Sequence, residues 1–418
     1  MFGLSNDSGL EFTAQDEALL QQTVITEDSP GTILRDFQTM LDYIQEKKPA
    51  ATKNHQLSLK DLEPLNKRMT RPIQHGLKRP QQKSMPNING LYLLLRATGF
   101  ANFKPADKKP KFQLDELVLA SWQSLNPTER YFTLLESWLL RGSGELIGER
   151  HGYSIFRNAL SEWVHLHMRL TTTDMQNLKE PLMETVRYFP GFHHLALMEL
   201  FGLMVVVPGK VVAGEGWQLT AVEPTRFGEA LMKCLQVNFY DNTDLLFKLD
   251  NPAQITPGHL QPILQPYFPE WKENLRWPQP DFRDGTHTFL VSIAKDVWRR
   301  IAISADAYLE DLAHTILRAF KFDSDHLYRF IYTNHLGTSD DINHPYMDEG
   351  PFTSEVRVGD VPLPIGGTMD FNFDFGDDWY FEVKLESVDE EDKVLKRPKI
   401  LESHGKAPEQ YPRYGDEW

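Results

Sequence analysis

Apolar residues recur at helical spacing through the first two thirds of the chain and at alternate positions in the last third. In TILRDFQTMLDYIQEKK, Ile33, Phe37, Met40, Leu41 and Ile44 fall on one helical face, and Pro49 stops the pattern. A short helix, a Pro/Gly-punctuated basic loop and a second helix starting near Pro86 follow. FANFKPADKKPKFQL, two aromatic runs split by Pro105 and Pro110, predicts a β-hairpin. Asn126-Pro127-Thr128-Glu129 predicts a helix start, with a side-chain cap, Pro at the first position and Glu at the third. Tyr131, Leu134, Leu135, Trp138 and Leu139 line one face of that helix.

From Thr288 the period changes to two. Phe289, Val291 and Ile293 alternate, Lys295-Asp296 turns the chain, and Val297 to Ile303 return. Leu309, Leu312, Ala313, Ile316, Leu317 and Phe320 then predict an amphipathic helix lying on the hairpin. Strands are expected around Tyr328–Tyr332 and Glu355–Val358. Phe371, Phe373 and Phe375 alternate before a Gly376-Asp377-Asp378 turn into Trp379, Phe381, Val383 and Leu385. The fold class expected is α+β: a mostly helical N-terminal region, then a β-grasp-like sheet with one face covered by a helix.

A weak internal repeat organises the helical part. LLLRATGF followed by Phe112-Gln113-Leu114 resembles LALMELFGL followed by Trp217-Gln218-Leu219, with Gly99 and Gly202 at matching places. Helix, two-stranded wing, helix is the order of winged-helix domains, relatives of the helix-turn-helix; the same order is also a common packing unit. The Pro- and aromatic-rich stretch carrying Tyr267, Phe268, Trp271 and Trp277 reads as a linker ordered by packing. The expected organisation is a helical segment 1–55, a basic winged-helix-like module 56–150, a second such module 151–250, a linker 251–287 and an α+β domain 288–418.

Composition alters this picture at two points. A single cysteine, Cys234, excludes a disulfide framework and Cys-rich metal sites, and reads as a buried small hydrophobe. MFGLSNDSGLEF lacks the pattern of a secretory signal and no window has the apolar length of a membrane span, so a reduced, cytoplasmic protein is expected. The net charge of −15 would repel a phosphate backbone if it were evenly spread. It is not: Lys53 to Lys111 holds thirteen basic and three acidic residues, a balance of +10, whereas Asp281 to Trp418 stands at −13. Such asymmetry points to a polyanion-facing region, or to pairing of the basic segment with the chain's own acidic region or with a partner protein.

In the last third, Phe289-x-Val291, Val297-Trp298-Arg299-Arg300-Ile301, Leu312-Ala313-His314, His326-Leu327-Tyr328-x-Phe330 and Phe373-Asp374-Phe375-Gly376-Asp377-x-Trp379 occur in order. Together they resemble the Ri-plasmid open-reading-frame-3-like family, also labelled insertion-element passenger, resolvase-like, over about Phe289–Pro412. Leu77–Gln81 and Gly90–Gly99 resemble the region preceding that domain in longer members. The resemblance implies the family's fold and an association with mobile elements. Two departures bear on chemistry. Tyr380 and Phe381 stand where the family usually has His, and Ala407-Pro408-Glu409-Gln410 replaces its Pro-Pro-Glu-Asp.

The residues expected to hold phosphates are Lys67, Arg68, Arg71, Lys78, Arg79 and Lys83, with Lys108, Lys109 and Lys111 as a wing contact. Asp374, Asp377, Asp378 and His326 could hold a hard divalent cation, the one cofactor considered; the competing reading is turn chemistry by the Gly-Asp-Asp. Trp298, Arg299 and Arg300 could stack on a base and clasp a phosphate, or pair with the sheet's own carboxylates. His314 reads as a packing histidine. His165-x-His167 and His193-His194 lack the i, i+4 spacing of helical metal ligands, and no nucleotide-binding or serine-hydrolase motif occurs. The expected protein is a non-enzymatic binding protein with a basic nucleic-acid-contacting region and an acidic interaction module. The rivals are a metal-dependent phosphodiesterase or nuclease built on the Asp/His cluster, and an adaptor for an acidic protein.

Overall fold

The computed structural model describes residues 11–52, 56–101, 111–148, 191–240, 255–278, 282–334, 339–392 and 395–411. The chain forms two compact units, Met1–Trp277 and Pro278–Trp418.

The first unit opens with α1 (Ala14–Gln22), capped by reciprocal bonds between Thr13 and Asp16. The helix α2 (Ile33–Lys47) buries the Ile33, Phe37, Met40, Leu41, Ile44 face and ends on Lys48 in the left-handed region. Then come α3 (Leu59–Asn66), α4 (Pro86–Ala97), α5 (Glu116–Ser124) and α6 (Pro127–Glu136). Asn126 and Glu129 close a capping box at the predicted start of α6, which runs on as a π turn, Ser137–Arg141. After α7 (Phe192–Leu200) an antiparallel ribbon of β1 (Met204–Pro208) and β2 (Leu219–Pro224) leads into α8 (Arg226–Tyr240).

Aromatic rings fill the interior. Phe37, Phe100 and Trp122 meet edge to face with centroids 5.4–5.6 Å apart, a geometry that places each ring's positive edge on its neighbour's negative face. The Pro/aromatic-rich stretch belongs to this unit: Trp271 is buried and stacks on Phe132 at 4.8 Å, and the Trp277 Nε1 donates to the Thr98 carbonyl at 2.9 Å.

The repeat has a structural counterpart. Both α4 and α7 end at a left-handed glycine, Gly99 at φ 78 and Gly202 at φ 75, where a Cβ would be strained. Phe112 and Trp217 are both buried, each meeting the edge of an aromatic near 5.7 Å: Tyr92 at 5.8 Å and Phe192 at 5.6 Å. Helix, ribbon, helix is the observed order over 192–240; the wing expected in the first copy falls on 102–110, outside the described residues. One feature departs from a winged helix. In that architecture the helix before the wing lies in the DNA groove, whereas all twelve residues of α4 are buried. Its sequence, PNINGLYLLLRA, is apolar almost all round, so it is a core helix and reads no groove.

The second unit is a seven-stranded sheet in the order β6-β5-β7-β8-β3-β4-β9, with every strand pairing antiparallel. Its strands are β3 (Thr286–Ala294), β4 (Val297–Ser304), β5 (Tyr328–Thr333), β6 (Ser339–Asn343), β7 (Thr368–Phe373), β8 (Trp379–Asp389) and β9 (Lys399–His404). The helix α9 (Leu309–Phe320) packs its predicted stripe against Phe289, Val291, Ile301, Phe330, Phe371, Phe381 and Val383. The architecture is α+β. Glu355–Val358 forms no strand: it bridges Tyr308 through Arg357 alone and passes into a 3-10 turn, Val358–Asp360. Phe375 lies past the end of β7, half exposed beneath the Arg329 guanidinium.

Candidate nucleic-acid interface and motif residues

The basic segment is held rigidly from below. Asn66, at the end of α3, accepts from the Ile73 N–H at 2.9 Å and donates to the Ile73 carbonyl at 3.0 Å, closing the loop between them. Buried Asp36 accepts from the Thr70 N–H at 2.7 Å. With its backbone tied, this loop presents Lys67, Arg68 and Arg71 to solvent. Lys78, Arg79, Lys83 and Lys111 are also exposed.

Tertiary pairing sorts the expected phosphate ligands into two groups. Arg68 is bound to Glu46 at 2.8 Å and lies over the Tyr43 ring; the hydrogen bonds of Arg68 and Lys47 hold the Glu46 carboxyl at about 2. Arg71 is bound to Glu199 at 2.7 Å. Burial raises the Glu199 carboxyl more than Arg71 lowers it. The side chains of Lys67, Lys78, Arg79, Lys83 and Lys111 have no hydrogen-bond or ion-pair partner among the described residues, while Lys108 and Lys109 lie outside them. The structure adds one group to this surface. Gly76 is bonded to the tip of the β1–β2 ribbon, which carries an exposed lysine, Lys210, into the neighbourhood of Lys78 and Arg79.

In the second unit the motif residues serve the fold. Arg300 reaches along the open face of the sheet to Glu386 at 2.6 Å and to Glu402, and lies over Trp298, which stacks on His404. Arg299 turns to the opposite face. It is buried, donates to the carbonyls of Ala319 and His404, and covers Phe320, so it satisfies the end of α9 and ties it to β4 and β9. A base-and-phosphate clasp by Trp298, Arg299 and Arg300 therefore finds its groups already engaged.

The Asp cluster does turn chemistry. Asp374 adopts φ 54, its Oδ1 accepts from the Gly376 N–H at 3.0 Å, and its own N–H donates to the Leu327 carbonyl. His326 Nε2 lies 3.5 Å from the Asp374 carboxylate. Asp378 accepts from the Asn372 amide at 3.0 Å. Asp377 adds its backbone N–H to the same turn. Among the described residues no group of three or more His, Cys, Asp or Glu side chains is arranged to hold a metal ion. His314 lines a shallow open groove with Arg318, Lys321 and Phe322, and Trp379 packs edge-on against that Phe322 at 5.0 Å. Of the two residues standing near the family's usual His, Tyr380 is exposed and Phe381 is wholly buried in the core.

The remaining candidates are structural. The Trp138 Nε1 donates to His194 Nδ1 at 2.8 Å, and burial pushes His193 down to about 4 and His194 well below its ordinary value, so both rings stay neutral. His165 and His167 lie outside the described residues. Burial raises the Cys234 thiol to about 12, which leaves no thiolate for nucleophilic chemistry at neutral pH. No helix among the described residues is long and apolar enough to cross a membrane.

No curated protein matches the chain. The crystal structure of a protein of unknown function from Methanosarcina mazei Go1 is similar at 21% identity, covering 30% of this chain and 72% of that one, with a TM-score of 0.27. The family model described as plasmid pRiA4b ORF-3-like protein matches residues 287–411. The helix α9, the Asp374 turn and all of the sheet but the first residue of β3 fall within that range, so the region similar to this family is the body of the second unit.

Proposed function

We propose that the chain is a mobile-element-associated binding protein. Its first unit grips nucleic acid through the segment Lys67–Lys83, and its acidic second unit serves as an interaction module. The observation that carries this is the separation of cations by pairing: Arg68 and Arg71 are neutralised internally, while Lys67, Lys78, Arg79 and Lys83 stay exposed and unpaired among the described residues. Four such groups, Lys67 on the loop fixed by Asn66 and Asp36 and the other three following Gly76, whose backbone is bonded to the β1–β2 ribbon, form a local positive field. The first unit as a whole is close to neutral, with 29 basic and 31 acidic residues.

Titration of a fluorescent oligonucleotide across salt concentrations tests the reading. Four phosphate contacts predict that log affinity falls with log salt at a slope of about −3.6. Lys78→Glu/Arg79→Glu should remove about half of that slope, two phosphates' worth, and weaken the affinity with it. Absence of binding at about 50 mM salt, or binding indifferent to salt, refutes it.

A further inference from the structure

The basic loop shares its backbone bonding with the ribbon. The Gly76 N–H donates to the Glu215 carbonyl at 2.8 Å, and the Gly214 N–H donates to the Gly76 carbonyl at 2.9 Å. A Cβ on Gly76 would fall 1.9 Å from the Val212 carbonyl oxygen, so only glycine lets the two backbones approach this closely. Lys78 and Arg79 follow this contact by two and three residues, and Lys210 precedes Val212 by two, so the contact joins the chain segments that carry all three cations.

The β1 side of the ribbon's outward surface and its tip carry apolar side chains. Val205 and Val207 stand on its exposed face, 46% and 38% exposed, and Val211 and Val212 at its tip are 52% and 42% exposed. Four accessible β-branched side chains beside unpaired cations mark a contact surface. They also select a ligand. Single strands are held by stacking bases on exposed aromatic rings, and the ribbon's one ring, Trp217, is turned inward at 6% exposure. A duplex has a groove that admits a two-stranded ribbon, with thymine methyls to meet aliphatic side chains and phosphate rows along both rims.

We infer that the β1–β2 ribbon is the groove-entering element of the nucleic-acid site and that the ligand is a double-stranded nucleic acid, its backbone held by Lys78, Arg79 and Lys210. This rests on the nucleic-acid reading above and adds the element and the strandedness. The ribbon also carries two exposed acids, Glu215 at the tip and Glu223 opposite Val205. The Glu215 backbone is bonded to Gly76, two residues from Lys78, so its carboxylate opposes phosphates bound there and supplies a test of opposite sign.

The experiment measures anisotropy of a labelled duplex of about 20 base pairs and of a single strand of the same length, with the full chain and its variants. The wild-type chain should prefer the duplex by about tenfold or more. Val211→Ser/Val212→Ser should weaken duplex binding about tenfold with the salt slope unchanged, because no charge is lost. Lys210→Glu should reduce the slope by about one phosphate's worth, and Glu215→Gln should strengthen binding. Gly76→Ala, which parts loop from ribbon, should lower affinity as the Val pair does. These Val, Lys and Glu sites are exposed, so unchanged melting of those variants separates contact from folding. Ribbon variants that bind like wild type while Lys78→Glu/Arg79→Glu fails, or a single strand bound as tightly as the duplex, overturn the ribbon assignment alone. A wild-type chain that binds neither probe overturns the nucleic-acid reading beneath it.

Discussion

Replacing Glu136 by alanine tests how the first unit holds its C-terminal stretch. Glu136 and Arg141 are both fully buried and bonded at 3.1 Å. The same carboxylate accepts from the Gly258 N–H at 3.0 Å and the Leu260 N–H at 2.8 Å. Arg141 also donates to Ser137 Oγ and to the Ala97 and Ile255 carbonyls, and lies over the Trp277 ring. Glu136→Ala therefore strands a buried guanidinium and two backbone N–H groups. Breaking a buried pair costs about 3–5 kcal/mol, and water entering the vacated space recovers part of what each stranded N–H loses, so a net loss of about 4 kcal/mol is expected. For a unit of this size that is a fall in Tm of roughly 10 °C. Glu136→Gln/Arg141→Met removes both charges while keeping an acceptor for the backbone, and should cost less than the single change. Circular dichroism melts of the full chain supply the values, and limited proteolysis at Lys272 and Arg276 should accelerate in Glu136→Ala alone. A Glu136→Ala melt within about 1 °C of wild type would refute the reasoning.

Three further outcomes are expected. Asp374→Asn keeps an acceptor and tolerates the left-handed backbone, so it should cost under about 1 kcal/mol, whereas Asp374→Ala should cost about 2 kcal/mol in urea melts; equal losses would argue for a role of the charge itself. His193 and His194 are held neutral by burial, with His193 down to about 4 from 6.5. The unfolded chain then binds more protons than the folded one between these values, so their contribution is complete above pH 6.5 and is lost as pH falls toward 4. His193→Gln should flatten the fall in Tm over that window, and an unchanged pH profile would contradict the assignment. Gly202→Ala forces a Cβ into φ 75 and to 2.2 Å from the Pro30 carbonyl oxygen, so a loss of more than about 2 kcal/mol is expected, read from the urea midpoint.

Local chemistry determined much of this protein without reference to the rest of the chain. The α2 stripe, the Asn126–Glu129 box on α6, the β3–β4 hairpin, α9 and the β7–β8 hairpin follow from residues within a few positions of one another, because periodicity and capping act over one or two turns. The edge strands were not legible in this way. All six residues of β9 are exposed and β6 is SDDIN, so neither shows the alternation that a half-buried strand imprints on its sequence. Asp374 was legible as a turn residue and as a metal ligand alike; in the fold its Oδ1 accepts from the Gly376 N–H, the contact the turn reading requires.

That cations gather between Lys53 and Lys111 is written in the order of the residues; which of them are free to act is set by the folded chain. Arg68 meets Glu46 from 22 positions away and Arg71 meets Glu199 from 128, distances over which no pattern along the chain carries information. The same holds for Gly76, which reads in isolation as a loop glycine and in the fold is the point where the basic loop and the ribbon touch backbone to backbone. Charge is a property of composition, but its availability depends on which carboxylates and carbonyls the packing brings within hydrogen-bond reach.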